Sequence, residues 1–305
     1  MRVTSLALEE LRRPRVAVRR FAGHISHSEL FDTPLVVAHL TDQHVGRVTP
    51  MAVQMEAVAR ANAAKPDVVV LTGDFVCHSQ AYLSDLAEVV GAFEAPVVAV
   101  LGNHDHWCGA QDVVKTLVRA GACVLRNSRT VLEVRHQKLQ IVGLDDAYTG
   151  HADPVRATRG LHKGLPVLGL SHIAEEADHL WALGVPFVLS GHTHAGQITV
   201  ARLHELSIGK MAGHKYVHGL YGERRGEGAV YVGAGIGAAM MPFRFGERAK
   251  REVAIFELGA EPGSLEEHHD EQPALRGRKP SAQTKAKRHA AVAKKAAKRA
   301  RRRVR

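Results

Sequence analysis

Val97-Val98-Ala99-Val100-Leu101-Gly102-Asn103-His104-Asp105 sets the pattern for the whole chain. Its opening apolar run has no polar alternation, so the strand it predicts lies in a sheet covered on both faces. The run stops at a glycine, where the backbone can turn freely. An amide, an imidazole and a carboxylate follow at once, and an amide oxygen can ligate a hard cation. Upstream the same order of events occurs twice: Val68-Val69-Val70-Leu71 leads to Gly73-Asp74, and the run from Leu35 to Leu40 leads to Asp42-Gln43-His44. Downstream it occurs twice more. Val167 to Leu170 precedes Ser171-His172, and Pro186 to Leu189 precedes Gly191-His192-Thr193-His194.

Five blocks of oxygen and imidazole ligands, delivered from five loops without a thiolate, have the form of a two-metal site. Such a set suits Mn, Fe, Co or Zn. It is the chemistry expected for hydrolysing a phosphate ester. The blocks differ in weight: Asp-x-His or Gly-Asp alone is ordinary turn sequence, whereas Gly-Asn-His-Asp is far more specific. In Gly-His-Thr-His, an extended backbone would point both imidazoles the same way, toward two adjacent metals.

Between the blocks, apolar spacing predicts helices over Pro50 to Ala64, Gln80 to Phe93, Gln111 to Ala120 and Glu175 to Leu183. Further strands are predicted at Val16 to Phe21, Cys123 to Leu125, Thr130 to Val134, Leu139 to Leu144, Gly228 to Val232 and Glu252 to Leu258. A tight turn is expected around Asn127-Ser128-Arg129. The first half reads βαβαβ and the second is richer in strands. The fold class is therefore α/β, a four-layer α/β/β/α sandwich with two central mixed sheets. Ligands of open α/β sheets gather at the carboxyl ends of strands, and every block lies at such an end.

The chain has 305 residues, 45% of them hydrophobic, enough for a substantial core. Aromatics are only 5%, so that core is built from Val, Leu, Ala and Ile. The net charge of +10 is unevenly placed: residues 274–305 carry 14 Lys or Arg and no Asp or Glu. What precedes them holds 27 basic and 31 acidic residues, a net of −4. Whole-chain basicity therefore does not make the globular part a nucleic-acid binder.

Residues 1–34 read as an N-terminal extension with the first strand, 35–262 as the main domain, and 263–305 as a disordered basic tail too poor in apolar residues to fold alone. The tail suits nucleic acid through counterion release, an anionic membrane, or solvation alone. Cys77, Cys108 and Cys123 are odd in number and irregularly spaced, which predicts neither a disulfide framework nor a zinc pairing. The charged N-terminus reads as neither a secretory signal nor an anchor. No stretch reaches the ~18–20 apolar residues of a spanning helix. The expected location is cytoplasmic, with peripheral attachment to the inner membrane surface as the alternative.

Taken together, the blocks resemble the calcineurin-like metallophosphoesterases over roughly Val36 to Leu258. Carried onto this sequence, the resemblance implies one metal held by Asp42, His44, Asp74 and His194. It implies a second held by Asp74, Asn103, His172 and His192, with Asp74 bridging ions ~3.5–4 Å apart. His104 would touch the phosphate or protonate the leaving oxygen, and Asp105 would orient His104 through a hydrogen bond. The segment Gly191 to Gln197, with Gly233-Ala234-Gly235-Ile236-Gly237 and Pro242-Phe243-Arg244-Phe245, is similar to a bacterial subgroup. That subgroup includes membrane-associated phosphoesterases and some UDP-diacylglucosamine hydrolases. By this likeness Arg244 is a candidate phosphate contact. Three places depart from the subgroup: Ala195-Gly196-Gln197 stands for its Gly-Gly-Gln, Thr41 for its Ser, and Ile173-Ala174-Glu175 for its Pro and Asp after the histidine. No ligand is lost by these changes; they bear on the substrate pocket.

The expected function is a dinuclear metal-dependent phosphoesterase, with two divalent or trivalent ions (Mn, Fe or Zn) as cofactors. It would hydrolyse a phosphomonoester, phosphodiester or pyrophosphate through a metal-bridging hydroxide. Its substrate would be a phosphorylated small molecule, a nucleotide or a lipid-linked phosphate. Nucleic acid or an anionic membrane would engage residues 274–305. Two rivals stand beside this reading: a phosphoesterase fold that lost turnover and serves as a scaffold, and a nucleic-acid-associated protein acting through its tail. The complete ligand set favours the enzyme over the first, and the −4 core weighs against the second. The other histidines read as surface or core residues, with His214 and His218 nearest a substrate-pocket loop.

Overall fold

The computed structural model describes residues 16–77, 79–196, 212–238, 244, 246–265, 267–268 and 270–275. Gln197, Pro242, Phe243, Phe245 and the basic residues 276–305, all singled out in the sequence, lie outside the described residues.

Among the described residues, twelve strands form two six-stranded sheets. They are β1 (Val16–Ala22), β2 (Leu35–Leu40), β3 (Val68–Thr72), β4 (Val97–Val100), β5 (Cys123–Val124), β6 (Ser128–Val134), β7 (Gln137–Gly143), β8 (Val167–Leu170), β9 (Phe187–Ser190), β10 (Gly219–Glu223), β11 (Gly228–Val232) and β12 (Arg251–Leu258). The first sheet has the order β1-β12-β2-β3-β4-β5, the second β10-β11-β9-β8-β7-β6. Both are mixed. In the first, β12 runs antiparallel to β2 while β2 to β5 are parallel. In the second, β11, β9, β8 and β7 are parallel, and antiparallel β10 and β6 form the edges.

Strand periodicity explains why the sheets stack. Val69 and Leu71 of β3, with Val97 and Ala99, face a core shared with the helices Met51–Ala63, Leu83–Gly91 and Ala110–Arg119. Their alternates Val68, Val70, Val98 and Val100 face the other way, onto Ile141, Leu168, Leu170, Phe187 and Leu189 of the second sheet. Val142, Val167 and Val188 then point outward onto Leu180 of the helix Ala177–Ala182. Three apolar cores separate four layers, the α/β/β/α sandwich. Both faces of β3 and β4 are covered, which is why β4 carries no polar residue and β3 none before its last, Thr72.

Several local boundaries differ from the sequence expectation. The helix expected from Gln80 begins as a 3-10 turn, Gln80–Tyr82, capped by the Ser79 hydroxyl accepting from Ala81 N at 3.2 Å. A 3-10 turn, Ala174–Glu176, likewise opens the helix expected from Glu175. β6 already starts at Ser128, so the turn placed there lies earlier. Asn127, with φ of 51°, makes that turn, and a second tight turn, Arg135-His136, joins β6 to β7 with φ of 48° and 65°. Two consecutive positive φ values match the hairpin turn whose twist fits the strands. β10 was not anticipated, because Gly219 and Gly222 weaken its strand signal.

Candidate metal centre

β2, β3 and β4 are neighbours in one sheet, and β8 and β9 in the other. From their carboxyl ends come Asp42 and His44, Asp74, Asn103 and His104, His172, and His192 and His194. The side chains converge. Ligand atoms of Asp42, His44 and His194 lie within 4.8 Å of one another, as do those of His44, Asp74 and His104, and of Asp74, His172 and His192. His44 and Asp74 each belong to two of these groups, so the three form one continuous centre.

Asp74 is its pivot. Its Oδ2 stands 3.6 Å from His44 Nε2, 3.4 Å from His172 Nε2 and 3.9 Å from His104 Nε2. Its Oδ1 accepts the backbone N–H of His104 at 2.8 Å. Asp42 divides its oxygens similarly. Oδ2 accepts from the Thr41 hydroxyl at 2.8 Å and from His192 N at 3.0 Å, while Oδ1 lies 3.3 Å from His194 Nε2. The Nε2 atoms of His44 and His194 face each other at 3.0 Å. Imidazole–metal bonds are ~2.0–2.1 Å long, so two nitrogens at right angles on one ion sit about 3 Å apart.

The backbone is bent to make this possible. Asp42, His44, Asp74, His192 and His194 have φ of 51°, 42°, 56°, 77° and 51°. Left-handed backbone at residues bearing a β-carbon costs ~1–3 kcal/mol each and persists only where the surroundings enforce it. His192 and His194 are therefore not an extended pair. The turned backbone sends His194 toward Asp42 and His44, and His192 toward Asp74 and His172. Gly191 must be glycine, since a β-carbon there would collide with the Thr41 hydroxyl and the Asp42 carboxylate.

Asp105 acts on the backbone. Its carboxylate accepts from Asp74 N at 2.9 Å, Phe75 N at 2.8 Å and Gly102 N at 2.9 Å. It thereby clamps the loop after β3 to the start of the helix Asn103–Cys108. His172 Nδ1 donates to Thr72 O at 2.7 Å, which fixes that proton and turns Nε2 inward.

The electrostatics favour cations. Burial alone would raise Asp74, but His172, His44 and His104 around it hold its carboxyl well below the usual range. Burial pushes Asp42 up, and neighbouring Asp74 adds to this. Burial works against charge on His172, yet Asp74, with help from Asp42 and Asp146, pushes the imidazole up to about 10. Burial drives His44 and His194 down to about 3, with the Arg244 guanidinium adding to this at His194, which favours neutral imidazoles. Asp42 Oδ1 and Asn103 Oδ1 are buried and accept no hydrogen bond. Buried acceptors without donors, beside neutral imidazoles and carboxylates, are the donor set that first-row divalent ions take.

Arg244 is placed differently from a phosphate contact. Its guanidinium donates to Ala234 O at 2.6 Å, to Ala249 O at 3.1 Å and to Gly237 O, and one nitrogen lies 3.4 Å from His194 Nδ1. It braces the small-residue loop against the centre. His39 is buried with Nε2 2.8 Å from the Thr72 hydroxyl, and His218 lies 3.2 Å from Glu252, both as structural residues. His214, also singled out, lies beside the centre, its ring 5.3 Å from that of His192.

The loop after β7 was missed. Asp145 pairs with His106 at 2.7 Å and with Arg126 at 2.8 Å. Asp146 is fully buried, with Oδ2 accepting both Thr149 N and the Thr149 hydroxyl at 2.7 Å. The signal was available: Asp145-Asp146 follows an apolar strand just as the five blocks do.

The calcineurin-like phosphoesterase family matches this chain over residues 35–196. "Phosphodiesterase YaeI" of Escherichia coli is 31% identical over 240 residues, covering 74% of this chain and 82% of its own length. "Uncharacterized metallophosphoesterase YkuE" of Bacillus subtilis is 30% identical over 228 residues, covering 73% and 78%. Among solved structures, "GAP50 the anchor in the inner membrane complex of Plasmodium" aligns with a TM-score of 0.47 at 12% identity, covering 86% of this chain and 95% of its own. With the family match spanning more than half of its length, the chain belongs to the calcineurin-like phosphoesterases.

Proposed function

We propose that this protein hydrolyses a phosphodiester at a two-cation centre. In this reading Asp42, His44, Asp74 and His194 hold one ion, and Asp74, Asn103, His172 and His192 the other. The observation that supports it most is the sharing of Asp74 and His44 among three overlapping ligand groups. The preference for a diester comes from the relative named a phosphodiesterase, matched over most of its length. Two bound ions of Mn, Fe or Zn would supply Lewis-acid charge for the phosphoryl oxygens and lower the pKa of a bound water.

The remaining work falls to the chain. Asp74 and Asp42 balance the positive charge. His172 is locked by Thr72, and the Asp105 clamp keeps the loop after β3 and the helix Asn103–Cys108 in register. His104 is half-buried, with Nε2 3.9 Å from Asp74 Oδ2. In this reading it touches a phosphoryl oxygen and gives a proton to the leaving oxygen. Among the described residues no helix is long and apolar enough to cross a membrane. The test is metal analysis of the purified protein with turnover of bis-p-nitrophenyl phosphate. The reading expects about two ions per chain and activity lost with Asp74→Ala. Full turnover by that variant would refute it.

A further inference from the structure

The chain has two Trp and five Tyr. Trp181, Tyr82, Tyr216, Tyr221 and Tyr231 all belong to or pack on one of the three apolar cores. Trp107 and Tyr148 belong to none of them. Both are half-buried, and both border the candidate metal centre. Trp107 lies one helical turn beyond His104, their ring centroids 4.8 Å apart. Tyr148 lies on the loop after β7, with its ring 5.5 Å from that of His192. The two meet edge to face at 5.9 Å and 79°. In a chain so poor in aromatics, placing two large rings outside every core and beside the reacting groups is not a packing requirement.

The pair is also held rigidly. Trp107 rides on the helix whose first turn Asp105 clamps. The neighbouring His106 ties that helix to Asp145 at 2.7 Å. Tyr148 is bracketed by Asp146 and Thr149, which are hydrogen-bonded to each other at 2.7 Å. Two elements from opposite sheets are thus fixed at one rim of the centre. A preorganised aromatic corner of this kind suits a flat π-system, because stacking needs a face and an edge but no matched hydrogen bonds.

We propose that Trp107 and Tyr148 form a subsite for a planar aromatic group, a nucleobase, carried by the phosphate ester whose phosphorus sits at the metal centre. The inference deepens the phosphodiesterase reading and rests on it for the position of the phosphate. It makes a nucleotide ester the substrate class, with the base against the two rings and the ester beside His104.

The test uses metal-loaded full-length protein and two esters differing only in the base: adenosine 5′-phosphate methyl ester and the matching ribose 5-phosphate methyl ester. Trp107→Ala and Tyr148→Ala are each expected to lower kcat/KM about 10-fold or more for the adenosine ester, chiefly through KM, and little for the abasic one. Trp107→Phe should retain most of the preference. Equal losses on both esters, or a fall confined to kcat, would mean the rings only position His104 and His192, and would overturn the subsite. A binding readout runs alongside. With Trp181→Phe leaving Trp107 as the one tryptophan, adenosine 5′-monophosphate should quench its fluorescence at concentrations where ribose 5-phosphate does not. Equal quenching by both also overturns the proposal. If the abasic ester is turned over as well as the adenosine ester, the subsite fails while the phosphodiesterase stands. If neither ester is turned over, the quenching still decides the subsite.

Discussion

His44 and His194 meet nitrogen to nitrogen, their Nε2 atoms 3.0 Å apart although 150 residues separate them in the chain. Their rings are nearly parallel, with centroids 4.9 Å apart. Between two neutral imidazoles this is an N–H···N hydrogen bond, one Nε2–H donating to the other's lone pair. Two ligands aimed at one cation would adopt the same approach readily. The relationship links the first sheet to the second, and it makes the metal centre part of how the two halves of the sandwich fit together.

One consequence concerns the groups behind the ligands. Thr41 donates its hydroxyl to Asp42 Oδ2 at 2.8 Å. Thr41→Val keeps the shape and removes the donor. Cation affinity is expected to fall about 10-fold, as for other losses behind a ligand. Isothermal titration with Mn on stripped protein measures this; unchanged affinity would assign Thr41 to packing alone.

His104 is expected to separate chemistry from metal binding. Its side chain is 12% exposed and that of His194 11%, against 0% for His44 and His172, so His104 and His194 both border the open side of the centre. His104→Asn should lower kcat by roughly 10²–10⁴-fold, the range for a lost general acid. Bound metal should not change. Loss of an ion in that variant would make His104 a ligand.

Gly191→Ala should reveal how tightly the two sheets are joined at the centre. The new methyl group would meet Thr41 and Asp42. Overpacking of this kind costs ~1–3 kcal/mol. Urea denaturation should show that loss together with weaker metal retention. A variant as stable as the parent would mean the loop moves freely.

Acid stability is expected to depend on Glu252, far along the chain from the ligands. It is paired with Arg19 at 2.7 Å and His218 at 3.2 Å, and it accepts from Ala234 N at 2.8 Å. Burial alone would raise its pKa, but His218, Arg19 and the amide hold it well below the usual carboxylate range. A folded value below the unfolded one, about 4.3, stabilises the protein fully above that pH. The contribution fades as pH falls through the lower folded value. Glu252→Gln should cost about 3–5 kcal/mol at pH 7, since it leaves Arg19 without its partner. Its stability should also fall less steeply than the parent's below pH 4.3. Parallel acid limbs for the two proteins would remove Glu252 from this role.

Much of this architecture was legible in advance because buried strands leave an unambiguous trace. Val68 to Leu71 and Val97 to Leu101 have no polar residue to place, so both faces had to be covered, and the cores on either side of β3 and β4 cover them. The positions just after those runs were equally readable, because a polar side chain at the end of a buried strand enters the site rather than the core. What could not be read was set by contacts distant in sequence. Asp105 follows His104 directly, which suggests a local hydrogen bond. Its three amide partners include two from a loop 30 residues earlier. Arg244 resembles an anion contact until the carbonyls of Ala234, Gly237 and Ala249 are brought around it. Trp107 and Tyr148 carry no motif at all. They become informative only once the three cores are known and both rings prove to lie outside them.

The central claim, that loops from both sheets build a cage for two neighbouring cations, is tested most directly by anomalous diffraction from crystals grown with Mn. Two peaks ~3.5–4 Å apart are expected, with Asp74 between them, Asp42, His44 and His194 around one, and Asn103, His172 and His192 around the other. A single peak away from Asp74, or no ordered ion among these seven side chains, would contradict it.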